Sequence, residues 1–361
     1  MNRYAVILAG GVGERLWPKS RVGAPKHLQA IVGERTMIRQ TVDRLEGLVP
    51  AERIYAVTAE AQRAQILEQL PELDPANVLG EPVGRNTAPA IALAAAALGA
   101  RDPGATMMSL HADAAIGEAD LDVYRRTLAD CCTTAEETGG LVTIGIVPRS
   151  PATGYGYIHR GARAGVKCET AVYHVERFVE KPDEATAKAY VGAGDYYWNS
   201  GMFIWTVAAI TDAFERYMPR LHAGLVAMRE AMDTAAQEET VRRVYESLES
   251  EPIDTAVMER ADNVYTAAGE FLWDDVGSWV SLANHIETDE QGNVVVGPFE
   301  HIDARDCIVA GDGTLIAAIG VSDLVVVKTK DALLVCARDR AQEVKDLVAK
   351  LKARDELKGC F

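Results

Sequence analysis

Hydrophobic and polar positions follow two different patterns along the chain. From residue 4 to about 145, short apolar runs alternate with longer amphipathic stretches, as in strands that are each followed by a helix. This alternation predicts an α/β fold with a doubly wound, mostly parallel, Rossmann-like sheet and helices on both faces. The predicted strands are 4–9, 53–58, 105–110 and 141–146, and the predicted helices are 36–47, 60–69, 87–100 and 119–137.

The pattern changes in the second half of the chain. Residues 150–205 are β-rich, with strands expected near 155–160, 171–180 and 200–205, and residues 206–250 have helical periodicity. Beyond Asn293, short Val, Ile and Leu runs follow one another closely and are broken by Gly, Asp and Ser. This pattern predicts a small β-helix-like unit closed by a helix at about 339–353. We therefore expect a large domain over 1–285 and a small one over 286–361.

Charge restricts the possible ligands. The 361 residues are 48% hydrophobic and have a net charge of −16, so nucleic acids and anionic membranes are poor partners for the whole chain. The first 30 residues are an exception, because their local charge is +4, which suits a small anionic ligand. The charged residues there are Arg3, Arg15, Lys19, Arg21 and Lys26, with Glu14 as the single acid.

Cysteine usage and the amino terminus predict a cytoplasmic protein. The six cysteines show no C-x-x-C spacing and are sparse for the length, which indicates neither a zinc site nor a disulfide framework. The apolar run Ala5–Ala9 is too short for a signal sequence or a membrane span, and we interpret it as a buried first strand. The cysteines are Cys131, Cys132, Cys168, Cys307, Cys336 and Cys360.

A glycine-rich segment follows the first predicted strand and is the strongest local signal. Glycines there allow backbone N–H groups to approach phosphate oxygens, and nearby basic side chains can neutralise the charge. The spacing matches neither the dinucleotide fingerprint nor the P-loop, which argues against a dehydrogenase and a P-loop ATPase. A glycine-rich surface turn is the structural alternative. The predicted nucleotide contacts in this segment are Leu8, Ala9, Gly10, Gly11, Gly13, Glu14 and Arg15, with Lys26 shortly after them.

Several further blocks carry a family resemblance. Together with Leu8–Arg21, which contains Trp-Pro-Lys-Ser-Arg, they resemble the sugar-nucleotide pyrophosphorylases, and specifically the mannose-1-phosphate guanylyltransferase branch. They occur in the family's order over residues 4 to about 280, and the tail from 290 is similar to the family's β-helical end. The other blocks are Gly80–Ala90, Gly154–Ile158, Phe178–Pro182, Trp198–Phe203, Ile253–Glu259 and Trp273–Trp279.

The resemblance implies a reaction and a set of ligands. The family transfers GMP from GTP to mannose 1-phosphate, giving GDP-mannose and pyrophosphate, with Mg²⁺ or another divalent cation. It implies that Asp113 and Asp275 hold the metal, that Arg15 and Lys26 also act in catalysis, and that Asp113 contacts the nucleotide. Structural alternatives are that Asp113 caps a turn and that Asp275 caps a helix beginning near Ser278. A homodimer is also plausible by resemblance, through the β-rich tail.

The blocks also predict how the base and the sugar are bound. Guanine offers two adjacent donors that one carboxylate can accept, and Glu81 is the candidate. The resemblance implies that Glu180 binds sugar hydroxyls and that Lys181 pairs with the sugar's phosphate. Two alternatives remain for three aromatic residues: they form a wall against the sugar, or they pack in the core. These residues are Trp198, Phe203 and Trp205. The remaining predicted contacts are Asn86, Thr87 and Ala88 for the nucleotide, and Gly156, Asn199 and Gly201 for the sugar phosphate.

One departure from the family keeps alternatives open. The usual Pro-Ala-Asp-His or Pro-Ser-Asp-His block is His111-Ala112-Asp113-Ala114 here, so a proline and a neighbouring histidine are missing. The alternatives are a nucleotidyltransferase for glucose or heptose phosphate and a non-catalytic relative that binds sugar nucleotide. Longer members carry an additional isomerase domain, for which 361 residues leave no room, so we expect one activity.

Overall fold

A computed structural model describes residues 2–354 and 356 of the chain. The chain forms two compact units, each built from several stretches. The first comprises residues 1–10, 41–112 and 118–273, and the second comprises 11–40, 113–117 and 274–361. The α/β fold class predicted from the sequence is confirmed, and the two units are described separately below.

The first unit is organised around a nine-stranded sheet of order β3-β2-β1-β4-β9-β6-β10-β8-β7. β1 pairs in parallel with both β2 and β4, and β2 pairs in parallel with β3. Antiparallel pairing enters with β7, β8 and β9, which come from the segment predicted to be β-rich. The strands up to residue 274 are β1 (Arg3–Ala9), β2 (Ile54–Ala59), β3 (Val78–Glu81), β4 (Thr106–His111), β5 (Ala115–Ile116), β6 (Leu141–Ile146), β7 (Tyr157–Arg163), β8 (Val172–Val179), β9 (Tyr196–Thr206), β10 (Val264–Gly269) and β11 (Trp273–Asp274).

Helices cover both faces of this sheet. Successive strand residues point to opposite faces, and both faces carry apolar side chains that must be buried. On one face, Val6 and Met107 pack into a core with α3, α6, α7 and α8. Their chain neighbours Ile7 and Met108 do not belong to that core, yet they are buried to the same extent. α3 is alanine-rich and buried along nearly its whole length. The helices before residue 274 are α1 (Met37–Asp43), α2 (Arg63–Gln69), α3 (Thr87–Arg101), α4 (Leu121–Thr138), α5 (Glu184–Ala193), α6 (Val207–Tyr217), α7 (Pro219–Ala231) and α8 (Gln237–Ser247), and α9 (Val344–Lys352) belongs to the second unit.

The second unit contains the predicted β-helix-like coil. Its short strands alternate between two ladders, of order β12-β14-β16-β17 and β13-β15, and all pairings are parallel except β16 with β17. Val294, Ile308 and Val325 occupy equivalent inward positions and share a core with Leu16 and Trp279. The strands are β12 (Val294–Val296), β13 (Phe299–Ile302), β14 (Ile308–Ala310), β15 (Ile316–Ile319), β16 (Leu324–Lys328) and β17 (Leu333–Ala337).

Some elements differ from the predictions. No strand was expected from the sequence at β3, β10 or β13, and no helix at α5. The predicted closing helix near 339–353 begins as a 3₁₀ turn, Arg338–Glu343, before α9.

The described residues contain no helix that is both long and apolar enough to cross a membrane. Their five cysteines are free thiols, and Cys360 lies outside the described residues.

Candidate active site

The glycine-rich segment of the second unit is closed by contacts with Lys26. Gly13 has φ +75°, and a Cβ at this position would lie 2.6 Å from the Lys26 Cβ, so only glycine fits. The Lys26 N–H donates to the Val12 carbonyl at 3.0 Å, and a 3₁₀ turn over Glu14–Leu16 follows. At Gly11, also in the second unit, an added Cβ would meet nothing within 4 Å. The segment therefore has open space beside its backbone, as a phosphate-binding loop requires.

Lys26 brings the predicted metal residues of this unit together. Its side chain is buried, and its Nζ lies 2.9 Å from Asp113 Oδ2. The same ammonium donates to the backbone carbonyl of Asp275. These three residues are far apart in sequence, yet one buried cation contacts both aspartates. Neighbouring His27 adds no charge at neutral pH, because burial lowers its pKa to about 4.

The two adjacent acids of the Trp-Asp-Asp block have different environments. Asp274 is only 3% exposed and accepts hydrogen bonds from the loop and from Asn284. Burial opposes its ionisation, but the nearby His285 ring and hydrogen bonds from Asn284 and Val276 hold the pKa of Asp274 below its ordinary value. Asp275 is exposed, and its Oδ1 accepts the Gly277 N–H at 3.1 Å. The exposed acid is therefore the better placed of the two to meet a ligand.

Most of the predicted basic patch has structural partners. Arg3 forms an ion pair with Glu136 in the first unit, while Arg21 binds Asp331 and Lys19 donates to the Ala30 carbonyl in the second. Glu14, predicted to contact nucleotide, pairs with Lys352 of α9. Arg15 is exposed and has no ion pair among the described residues. It is thus the basic side chain of this segment best able to reach an incoming anion.

In the first unit, the strand ends carry the predicted base-reading carboxylate. Glu81 ends β3 with 8% exposure, and its Oε1 has no hydrogen-bond partner among the described residues. Burial raises the pKa of Glu81 to about 7, and contact with the Tyr245 hydroxyl partly offsets this shift. A buried acceptor without a donor is the arrangement that two N–H groups of guanine would satisfy. Leu8 and Ala9 end β1, where their carbonyls accept from Ala112 and Thr58.

The predicted contacts after Glu81 serve the helix start. Asn86 has φ +70° and caps α3, because its Oδ1 accepts the Thr87 N–H at 2.9 Å. The Thr87 hydroxyl accepts the Ile253 N–H, and the Ala88 N–H donates to the Glu251 carbonyl. These bonds fix the loop geometry, and the Asn86 amide nitrogen and the Thr87 hydroxyl can still donate to a ligand.

The predicted sugar residues of the first unit lie close together. A Cβ on Gly156 would lie 3.1 Å from Glu180 Oε2, and the Gly156 carbonyl accepts the Asn199 N–H at 2.8 Å. Glu180 is well exposed and pairs with Lys181, which is also exposed and has φ +32°. Gly201 has φ +70°, its N–H donates to Asn199 Oδ1, and a Cβ there would lie 2.7 Å from His111 Nε2. These residues combine a carboxylate, an amide and an ammonium for hydroxyl and phosphate groups.

Sequence reasoning missed Asp254 as a member of this cluster. Asn199 Nδ2 donates to Asp254 Oδ1 at 2.8 Å, which fixes the orientation of the amide. Asp254 and Glu180 together help to raise the pKa of Glu259, after burial as the largest cause. The signal was available, because Asp254 belongs to the Ile253–Glu259 block that was singled out without a role.

Two residues of the predicted aromatic wall lie in the core, and the third, Trp198, packs in a separate aromatic cluster. Phe203 and Trp205 stack on each other at 5.6 Å and belong to the core of the first unit, so core packing is correct for both. Trp198 instead contacts the Tyr155 ring at 5.2 Å, and Trp273 contacts the same ring from another position. Tyr155 therefore lies between two tryptophans and was not predicted.

Comparisons with known proteins agree with these features. A family model described as nucleotidyl transferase matches residues 4–292, and one for a MannoseP isomerase/GMP-like beta-helix domain matches residues 292–351. The mannose-1-phosphate guanylyltransferases of Escherichia coli strain K12 and Klebsiella pneumoniae are each 40% identical, over 97% and 96% of this chain and 73% of each relative. A crystal structure described as a mannose-1-phosphate geranyltransferase from Thermus thermophilus is 37% identical, with a TM-score of 0.86, and covers 98% of this chain and 100% of its own.

Proposed function

The chain belongs to the nucleotidyl transferase family, among the mannose-1-phosphate guanylyltransferases, and from this premise we propose how its residues carry out the reaction. The enzyme makes GDP-mannose from GTP and mannose 1-phosphate. The observation that carries the proposal is the buried Lys26 ammonium, which contacts both the Asp113 carboxylate and the Asp275 carbonyl.

The residues around Lys26 fit a divalent cation. The Lys26 ammonium contacts the Asp113 carboxylate and the Asp275 carbonyl, so the two residues that would hold Mg²⁺ lie close to the same basic group. The described residues contain no group of three His, Cys, Asp or Glu side chains able to hold a metal, so we propose that phosphate oxygens and water supply the other ligands. When bound, the cation neutralises the charge that develops on the phosphates.

The phosphoryl step needs positioning rather than a general base. A phosphate oxygen of mannose 1-phosphate is already ionised and attacks the α-phosphorus of GTP. A new P–O bond forms as the bond to pyrophosphate breaks, and the electron pair leaves with pyrophosphate. We propose that backbone N–H groups of the glycine-rich segment, together with Arg15 and Lys26, orient the triphosphate and stabilise its charge.

Base and sugar recognition are assigned to the first unit. We propose that the Glu81 carboxylate accepts two hydrogen bonds from guanine, and that Asn86, with the backbone at Thr87 and Ala88, fixes the nucleotide loop. For the sugar phosphate, the close contacts among Gly156, Glu180 and Asn199 support binding of hydroxyl groups there. We assign the phosphate of mannose 1-phosphate to Lys181.

We also propose a homodimer that forms through the β-helix-like unit. Five apolar side chains on its strands and loops are more than half exposed, and several of them line an apolar groove. A chain of charge −16 repels its own copies, so an uncharged apolar surface is where two copies can associate. The exposed residues are Ile302, Leu315, Ile319, Leu333 and Val335.

We propose that the protein works in the cytoplasm, because the free thiols of the described residues suit a reducing compartment.

We propose a catalytic domain over 1–285 and a β-helix-like domain over 286–361. The two family models meet at residue 292, which supports a boundary nearby.

The test of the mechanism is removal of the divalent cation. We expect chelation with EDTA to abolish formation of GDP-mannose from GTP and mannose 1-phosphate. Re-addition of Mg²⁺ or Mn²⁺ should restore it, because both are hard cations that bind carboxylate and phosphate oxygens. Undiminished turnover in EDTA would contradict the metal assignment.

A further inference from the structure

Asp274 is a buried carboxylate next to the proposed metal residue Asp275. Its Oδ1 accepts the Val276 N–H at 2.6 Å, and its Oδ2 accepts the Asn284 Nδ2 at 2.6 Å. His285 Nε2 lies 3.4 Å from the same Oδ2, and both side chains of this pair are about 5% exposed or less. Both oxygens of this carboxylate already accept hydrogen bonds from the protein, so it acts on the site through the loop that it holds.

The loop adopts a conformation that its own residues do not favour. Val276 has φ +46°, which is rare for a β-branched residue, and its side chain is fully buried in the core of the second unit. Such outliers persist only where surrounding contacts impose them. The Val276 N–H donates to the Asp274 carboxylate, and the following N–H, that of Gly277, donates to the Asp275 carboxylate.

The other side of Asp274 is attached to a well-anchored element. Asn284 ends the 3₁₀ helix Trp279–Asn284, and His285 follows it directly. Trp279 is 1% exposed, and its Nε1 donates to the Trp17 carbonyl within the same core. Asp274 therefore ties the loop that carries Asp275 to a packed helix through a charge-assisted hydrogen bond.

We propose that Asp274, held by Asn284 and His285, is a positioning residue that sets the direction in which Asp275 presents its carboxylate to the divalent cation. The inference rests on the proposed metal role of Asp275. Groups that orient a metal ligand affect metal affinity by roughly 10- to 100-fold, even though they never touch the metal. A role confined to stability would leave the metal affinity of the folded protein unchanged.

The experiment uses an isosteric exchange and its reversal. Asp274→Asn keeps the shape but turns one acceptor into a donor that faces the Asn284 amide or the Val276 N–H. The double variant Asp274→Asn/Asn284→Asp lets residue 274 donate to residue 284 and restores the pair. Mn²⁺ binding is measured by electron paramagnetic resonance on protein saturated with GDP-mannose. No pyrophosphate is added, so the reverse reaction cannot consume the GDP-mannose during the measurement. Urea unfolding of each variant reports stability separately.

We expect Asp274→Asn to weaken Mn²⁺ binding about tenfold and the double variant to recover most of the loss. Wild-type Mn²⁺ affinity in folded Asp274→Asn would overturn the inference. If that variant does not fold, Asn284→Ala and His285→Gln each remove one partner while Asp274 remains, and unchanged affinity in both would overturn it equally.

Asp275→Asn separates this inference from the proposed function. If it retains wild-type Mn²⁺ affinity, then the metal assignment itself is wrong. If it loses Mn²⁺ while Asp274→Asn does not, the metal assignment stands and only the positioning role fails. Asp262→Asn, which alters an exposed pair with Arg216, is the matched control and should bind Mn²⁺ as the wild type does.

Discussion

The proposed phosphate region of the second unit and the proposed sugar region of the first are built differently. In the phosphate region the Lys26 ammonium is fixed, because its side chain is 6% exposed and it contacts the Asp113 carboxylate. Around Glu180 the charged pair is open, and the Lys181 side chain is 61% exposed. Charge that develops during phosphoryl transfer is stabilised best by groups that are already fixed. Hydroxyl recognition tolerates groups that settle only when the sugar arrives.

The largest effect should come from the proposed metal residues. We expect Asp113→Asn and Asp275→Asn each to lower kcat by about 10³-fold, because each removes a charge that acts on the transition state. Steady-state kinetics at saturating GTP and mannose 1-phosphate measure this change. Near-normal kcat in either variant would remove that residue from the metal site.

The phosphate region and the sugar region can be compared directly by replacing one lysine in each with methionine. Lys26→Met should lower kcat by roughly 10²-fold, because a fixed ammonium is lost from the reacting phosphates. Lys181→Met should act mainly on the KM for mannose 1-phosphate, by about tenfold, since an exposed group contributes binding more than transition-state stabilisation. Lys188→Met is the control, because Lys188 makes an exposed pair with Glu184. Equal losses of kcat in both test variants would remove the distinction between the regions.

Glu81 gives the first unit a pH dependence. Its pKa of about 7 means that the carboxylate is mostly protonated at pH 6 and mostly ionised at pH 8. Guanine recognition needs the ionised Glu81 carboxylate. The fraction of enzyme with Glu81 ionised falls about tenfold from pH 8 to pH 6, so the KM for GTP should rise by about the same factor.

Glu81→Gln is the companion variant for that profile. It should flatten the pH dependence and weaken the preference for GTP over ATP, because an amide cannot accept both guanine donors. An unchanged preference for GTP would assign base reading to another residue.

The smallest effect concerns the glycine-rich segment. Gly13→Ala should lower the free energy of unfolding by about 1–3 kcal/mol, because the new methyl group meets Lys26 and φ is positive. Gly10→Ala should change it by under about 0.5 kcal/mol, because nothing lies within 4 Å of that position. Urea unfolding measures both, and equal losses would show that Lys26 does not restrict Gly13.

The sequence predicted the local features of these regions better than the long-range ones. The first strand and its glycines follow from a short apolar run and backbone requirements. β3 was not predicted because it has four residues, one of them Gly80, and β10 was not predicted because its apolar run is interrupted by Thr266 and ends in alanine and glycine. Short strands of this kind are specified by their neighbours in the sheet rather than by their own pattern.

Contacts between side chains that are far apart in the sequence could not be predicted from the pattern of apolar and polar residues. The Glu14 pair with Lys352 joins residues 338 positions apart, and it engages a side chain that was predicted to contact nucleotide. Asp274 and Asp275 are chemically identical neighbours, and only burial distinguishes the residue that holds the loop from the residue that is exposed. Family resemblance selected Asp275, whereas the role of Asp274 required the structure.

The central claim is that this enzyme transfers GMP from GTP to mannose 1-phosphate. The most direct measurement is pyrophosphate release by the purified protein with Mg²⁺ and mannose 1-phosphate, comparing GTP with ATP, UTP and dTTP, and repeated with glucose 1-phosphate. We predict that release is fastest with GTP and mannose 1-phosphate by at least about tenfold over every other pair, because the base contacts select GTP and the hydroxyl contacts select mannose. Faster release with another pair, or no release despite measurable GDP-mannose binding, would contradict the account.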